Sequence, residues 1–95
     1  MKTTISRNLP TQIVIDLGSK IVHGQVAPGT ILTSDFLEIK YQVSRTVVRE
    51  ALKVLHDKGL TRPRTKTGTI VLERSEWNLL DEDILNWLQA SGLST

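Results

Sequence analysis

Cysteine is absent from the 95-residue sequence, which excludes disulfide bonds, thiolate zinc sites and cysteine nucleophiles together. A long apolar run is also missing. Because a membrane-spanning helix needs ~20 apolar residues in succession, the sequence predicts no such helix. The first residues, MKTTISRNLPTQ, carry no apolar segment after their lysine, unlike a signal peptide. These absences predict one small soluble domain in the cytoplasm, with no membrane partner.

Basic residues are absent from residues 75–95, which hold four acidic residues. Residues 40–74 hold nine lysines and arginines against three acidic residues, whereas residues 1–39 hold three of each. The middle of the chain therefore carries a net charge of +6 and its end −4. A basic block beside an acidic end suggests that the middle binds a polyanion, with solvated surface charge as the alternative.

The first two elements predicted along the chain are helices. Apolar residues at helical spacing predict a first helix over residues 11–23, which Gly24 suits as a left-handed end. Ser34 or Thr33 can cap a short second helix over about residues 35–41. The side chains expected on the buried side of this second helix are Phe36, Leu37 and Tyr41.

A third helix and a β-hairpin follow. Ser44 can cap the third helix, which runs to about Lys58 and precedes Gly59. Two helices joined by about three residues form a helix-turn-helix. The sequence LTRPRTKTGTIVLE then predicts two short strands with a turn through residues 66–68, and Pro63 indicates an edge position or a strand end. A helix-turn-helix followed by a hairpin is the winged-helix arrangement.

The last predicted helix covers residues 81–91, with Asp81 as its cap. Its apolar residues share one face, with two further apolar residues just before it. This face either packs on its own domain or belongs to an interrupted interface, and the pattern leaves both open. The predicted fold class is mainly α with a small β-hairpin: a winged helix-turn-helix plus a C-terminal linker helix. The apolar residues concerned are Trp77, Leu80, Ile84, Trp87 and Leu88.

The third helix has a polar face of one charge sign. At about 100° per residue, a stripe of donors forms from Arg45, Thr46, Arg49, Lys53 and His56, and no carboxylate of that helix falls within it. A merely solvated face usually mixes charge signs to gain pairs four residues apart. The stripe therefore predicts a recognition helix for double-stranded DNA, in which arginine can bind guanine and lysine or threonine can bind phosphate.

The hairpin tip adds a second candidate contact surface. Arg64 and Lys66 supply positive charge there, beside Thr67 and Gly68. Glycine permits close backbone approach, and a basic tip next to a recognition helix often follows the adjacent minor groove or backbone. An ordinary solvated turn is the alternative.

These motifs resemble the GntR family of bacterial transcription regulators. The segment VSRTVVREAL, followed by KVLHDKGL, is similar to the family's recognition-helix signature, and HGQVAPGTIL and KTGTIV fall in the family's order. RSEWNLLDEDILNWL resembles the domain junction of the FadR-type branch, especially of regulators of sugar-acid use. The resemblance covers nearly the whole chain.

The resemblance implies a winged-helix DNA-binding head that works as a homodimer on a short inverted repeat. It also implies repression relieved by a small carboxylate effector, bound in a helical domain beyond residue 95. No cofactor is expected in this chain. The matching DNA-binding positions are Ser34, Ser44, Arg45, Thr46, Arg49, Lys66, Thr67 and Gly68; Lys53 and Arg64 join them from the charge pattern.

The chain departs from the family pattern in three places. It is one residue shorter between Leu32 and Leu37, where it lacks the arginine with which relatives hold phosphate. Gln42 stands where a turn glycine is common, which adds strain, and Val47 replaces a frequent proline.

The resemblance also implies a division of the chain. Residues 1–74 are expected to form the winged helix-turn-helix DNA-binding domain. Residues 75–95 are expected to form a linker and the start of a missing helical effector domain, so that the chain is a fragment or a truncated product.

Other functions compete with DNA reading. An enzyme is not expected, because His23 and His56 have no acidic or histidine partners at ligand or catalytic spacing. A winged-helix protein-interaction module would show an apolar or mixed recognition face, which the donor stripe disfavours. A non-specific DNA-binding protein would show steep salt dependence without sequence preference.

Overall fold

The computed structural model describes residues 9–64 and 68–90, and over these residues it forms four α-helices, a small antiparallel sheet and one 3-10 turn. The prediction of a mainly α winged helix-turn-helix is confirmed. In chain order the elements are α1 (Leu9–Val22), β1 (Ile31–Thr33), α2 (Ser34–Tyr41), α3 (Arg45–Asp57), β2 (Thr61–Pro63), β3 (Gly68–Val71), the 3-10 turn (Arg74–Glu76) and α4 (Glu82–Ala90).

The core forms between α1 and α3. The apolar face of α1 meets Val48, Ala51 and Leu55 of α3, each at most 1% exposed. Burying a large aliphatic side chain stabilises the fold by about 1.5–3 kcal/mol, so this contact orients α3. The helix begins at Leu9 rather than residue 11, because Pro10 is tolerated in a first turn, where N–H groups lack partners. The buried apolar residues of α1 are Ile13, Val14, Leu17, Ile21 and Val22.

Two capping hydroxyls and one left-handed residue build the helix-turn-helix. Thr33 Oγ1 accepts the N–H of Phe36 at 3.1 Å, and Ser44 Oγ accepts the N–H of Val47 at 3.3 Å. Between the helices Gln42 adopts φ +56°, a left-handed conformation that glycine adopts most readily. The cap of α3 is therefore the predicted Ser44, and of the two candidates for α2 the structure selects Thr33.

The β-sheet has three strands rather than the predicted two. β3 lies in the centre, with Ile70 opposite Ile31 of β1 and Thr61 of β2 opposite Val71. The sequence prediction missed β1, whose three residues are too few to show strand alternation. Pro63 lies in the edge strand β2, as predicted, where its missing N–H is tolerated.

The last helix returns to the core. Ile84 is fully buried, and the Trp87 ring lies so close to Gly18 of α1 that a Cβ there would lie 2.7 Å from Cη2. Of the two alternatives for this face, packing on the same domain is observed, although Leu80 remains 88% exposed. Asp81 caps α4 as predicted, accepting the N–H of Ile84 at 3.1 Å.

One side chain of α2 is more exposed than the sequence predicted. Phe36 was expected on the buried side of α2 but is 52% exposed, whereas Leu37 is buried as expected. None of the helices in the described residues is long and apolar enough to span a bilayer. The predicted division of the chain at residue 74 stays a prediction.

Candidate nucleic-acid interface

One side of α3 is exposed and rich in hydrogen-bond donors. Arg45, Thr46, Arg49 and Lys53 are all exposed, while the opposite side of the helix packs on the core. The packing of α3 on α1 and α2 therefore turns this donor face outward. The predicted grouping of these four residues on one exposed face agrees with the structure, and their contacts with DNA stay predictions.

The start of α3 is a second element of this face. Its first turn holds no acidic residue, and the positive end of a helix dipole favours anions. Ser44 is exposed, but its hydroxyl already accepts the N–H of Val47. A hydroxyl in this state can still donate its proton to a phosphate oxygen.

Arg45 is ion-paired within the protein, with carboxylates that lie outside α3. Its Nε lies 3.3 Å from Oε2 of Glu38, and its Nη2 lies 3.7 Å from Oδ1 of Asp35. Both acids belong to α2, so a wheel drawn for α3 alone could not include them.

Ser34 has a different position from the one predicted. It is the first residue of α2 and partly exposed, while Thr33 supplies the capping oxygen. Of the two candidate caps, Thr33 is therefore the one observed, because its backbone is extended as a cap requires and Ser34 is already helical. Its contact with phosphate stays a prediction.

The wing is only partly described. Arg64 is exposed and its N–H donates to the carbonyl of Gly68 at 3.2 Å, which closes the hairpin. Gly68 begins β3 and lies opposite Thr33 of β1, so it is a strand residue rather than an open turn. The predicted contacts of Lys66 and Thr67 lie outside the described residues.

One cation of the basic block has a structural role that the sequence did not reveal. Lys58 is 6% exposed, and its Nζ lies 2.6 Å from Oδ2 of Asp83 and 3.1 Å from both carboxylate oxygens of Asp81. Burial lowers the pKa of Lys58, but hydrogen bonds from its ammonium to Asp83 and Asp81 outweigh burial and raise it overall. Lys58 therefore holds α4 and is removed from the surface that could bind a polyanion.

A half-buried polar pair connects the helix-turn-helix to α1. Tyr41 Oη donates to Oδ2 of Asp16 at 2.7 Å, and Lys20 Nζ lies 3.1 Å from the same oxygen. Burial raises the pKa of Asp16, but the hydrogen bonds from Tyr41 and Lys20 lower it by more. Burial and the hydrogen bond to Asp16 both raise the pKa of Tyr41. The pair ties the end of α2 to α1.

The described residues contain no cluster of metal ligands. Within residues 9–64 and 68–90, no three histidine or carboxylate side chains come together as a ligand set. His23 instead has its Nε2 2.9 Å from the carbonyl oxygen of Trp87, and so contacts α4.

Several known proteins are similar in sequence. The family described as "Bacterial regulatory proteins, gntR family" matches residues 9–71. The Escherichia coli K12 protein described as "Uncharacterized HTH-type transcriptional regulator YieP" is 43% identical over 82 residues, 85% of this chain and 36% of that protein. The galactonate operon transcriptional repressor of the same strain is 38% identical over 82 residues, with the same coverage.

A solved structure agrees in fold as well as in sequence. It is described as that of a GntR-family transcriptional regulator, is 39% identical, and superposes with a TM-score of 0.61 over 70% of this chain and 26% of that one. The chain spans about a third of the length of the two curated relatives.

Proposed function

The chain belongs to the GntR family of bacterial regulatory proteins, and we propose that it is the DNA-reading part of a transcription regulator. In this proposal α3 enters the major groove of a short inverted repeat, and the wing follows the adjacent minor groove. Such a regulator works in the bacterial cytoplasm and catalyses no reaction.

The observation that carries the proposal is the exposed donor face of α3. Arginine in a first helical turn can bind O6 and N7 of guanine with two hydrogen bonds, which discriminates against a wrong base by about 1–3 kcal/mol. Arg45 in the first turn of α3 and Arg49 in the next supply two arginine forks, and Thr46 and Lys53 can hold the flanking phosphates. A module that bound protein through this face would be expected to show an apolar or mixed face there instead.

Regulation and assembly form the second part of the proposal. The 38% identical relative is named for repression of the galactonate operon, which supports repression of genes for sugar-acid or carboxylate use. Two copies on an inverted repeat would place their recognition helices about 34 Å apart, one turn of DNA. A small carboxylate effector would bind outside these 95 residues, in a further domain. The relatives are about three times as long as this chain and are long enough to include one.

A selection from random duplex DNA at near-physiological salt tests the proposal. We expect the 95-residue chain to enrich one short sequence. An inverted repeat would identify a dimeric reader, and a single half-site would identify a reader that binds as a monomer.

Two results would contradict the proposal. Retention of DNA without enrichment, with a steep loss of affinity as salt rises, would identify a non-specific binder. No retention even at low salt would reject DNA binding and favour a protein-interaction module.

A further inference from the structure

The pairing of Arg45 with α2 has an unequal geometry. Glu38 accepts a hydrogen bond from Nε at 3.3 Å and its side chain is 25% exposed. Asp35 lies 3.7 Å from Nη2, beyond hydrogen-bond distance, and its side chain is 83% exposed. Glu38 is therefore the directional partner of Arg45, whereas Asp35 acts on it only through charge.

The backbone of Glu38 is held in place by the turn. Its carbonyl oxygen accepts the N–H of Gln42, and also that of Val43 at 3.1 Å. These bonds tie the last turn of α2 to the connection that leads into α3. The carboxylate is thus supported by the same turn that sets the direction of the recognition helix, which is the kind of support a precise contact needs.

The hydrogen bond leaves one edge of the guanidinium available. Arginine has five N–H donors in a planar fork, and Glu38 engages the one on Nε. The two terminal nitrogens remain for a ligand, and the Arg45 side chain is 66% exposed. A pair of terminal nitrogens can reach O6 and N7 of guanine together.

We propose that Glu38 is a positioning residue that holds the Arg45 fork for end-on contact with a guanine, and that it thereby sets base preference at one position. The inference rests on the proposed DNA-reading function. A held fork loses less side-chain entropy on binding, which favours the correct base. The carboxylate also repels phosphate, so DNA without a guanine there gains nothing that offsets this repulsion.

Binding to the selected duplex and to its single-base variants tests the inference. Glu38→Ala should reduce discrimination at one base pair about threefold to tenfold, a part of what a bidentate contact supplies. Arg45→Ala should reduce it at the same base pair. Glu38→Gln keeps an oxygen that can accept from Nε, so it should retain part of the preference. In each Glu38 variant, affinity for the mismatched duplexes should stay equal or rise.

Asp35→Asn is the matched control. It removes one carboxylate from the same helix without removing a hydrogen bond to Arg45. We expect it to raise affinity for every duplex by a common factor and to leave base preference unchanged. If Glu38→Ala behaves in the same way, or alters preference at a base pair that Arg45→Ala does not alter, the inference is overturned.

A measurement on the free chain separates this inference from the proposed function. In nuclear magnetic resonance spectra, the Nε–H proton of Arg45 should exchange slowly with water and should exchange several-fold faster in Glu38→Ala. Equal exchange in both proteins would overturn the inference even if DNA binding stands. A selection that enriches no sequence would instead remove the proposed function, and the inference with it.

Discussion

Nζ of Lys58 lies 2.6 Å from Oδ2 of Asp83, which joins the end of α3 to the first turn of α4. The lysine side chain is only 7% exposed, whereas the side chain of Asp83 is 56% exposed and stays in contact with water. Asp81 adds a second carboxylate, at 3.1 Å. Helices α3 and α4 are therefore joined by charge as well as by apolar packing.

Lys58→Met should lower the free energy of unfolding by about 2 kcal/mol, because it leaves the partly buried carboxylate of Asp81 without its cation. The exposed side of the pair, Asp83, contributes less because water screens it. Urea unfolding followed by circular dichroism measures the loss. Lys53→Met on the exposed face of the same helix is the control, with a change within about 0.5 kcal/mol. Equal losses in both variants would contradict the assigned role.

Stability should fall at both extremes of pH. Burial raises the pKa of Asp81, but hydrogen bonds from Lys58 and from the N–H of Ile84 lower it by more, so the pKa of Asp81 is lowered overall. The stabilisation is therefore present above the unfolded-state pKa, about 3.9, and is lost as pH falls through the folded-state pKa. Asp16 has the same sign. Unfolding free energies measured between pH 7 and pH 2 should show this loss, and Asp81→Asn should reduce it.

At alkaline pH the relevant pKa shift has the opposite sign, because the pKa of Lys58 is raised whereas that of Asp81 is lowered. The pKa of Lys58 is raised in the fold, so its stabilisation is complete below the unfolded-state pKa of about 10.4 and is lost as pH rises through the folded-state pKa. Lys58→Met should show no such contribution between pH 10 and 12. An unchanged alkaline profile in this variant would contradict the linkage.

Gly18→Ala tests the contact between α1 and α4. Alanine favours a helix by about 1 kcal/mol over glycine, but its Cβ would lie 2.7 Å from Cη2 of Trp87. Because overpacking costs about 1–3 kcal/mol, we expect net destabilisation and a shift of tryptophan emission to longer wavelength. In a Trp87→Leu background the same substitution should stabilise the chain. Stabilisation in both backgrounds would show that the ring moves aside freely.

Gln42→Gly should raise the free energy of unfolding by about 0.5–1 kcal/mol, because φ +56° strains a residue that has a Cβ. Gln42→Ala keeps the Cβ and should leave the free energy nearly unchanged. Thermal unfolding of the three proteins makes the comparison. A destabilising glycine would mean that the Gln42 side chain makes a contact worth more than the strain.

Arg45→Ala and Lys66→Ala should affect DNA binding differently. Loss of the arginine should relax base preference at one position by about 1–3 kcal/mol. Loss of the lysine, which the sequence predicts at the wing tip, should weaken all duplexes alike and reduce the salt slope by about one. Titrations of the selected duplex and its variants at several salt concentrations measure both. Equal losses on every sequence would overturn these role assignments.

Local signals were sufficient for most of the elements. Helical periodicity predicted α1 and α3 within two residues, because a helix face is written in residues three and four apart. Ser44 and Asp81 were recognised as caps because a capping side chain bonds to N–H groups two or three residues onward. The position of Pro63 at the sheet edge is also predictable from a local property, because proline lacks the N–H that a central strand needs.

The sequence by itself thus determined the helix-turn-helix, the hairpin and the outward donor face of α3, since each depends on neighbours along the chain. Only the tertiary structure decided what these groups meet. Arg45 meets Glu38 seven residues away, Lys58 meets Asp83 twenty-five away, and Ile31 pairs with Ile70 across the sheet. Such contacts depend on how helices and strands pack, and no periodicity within one element records the charge or backbone of another.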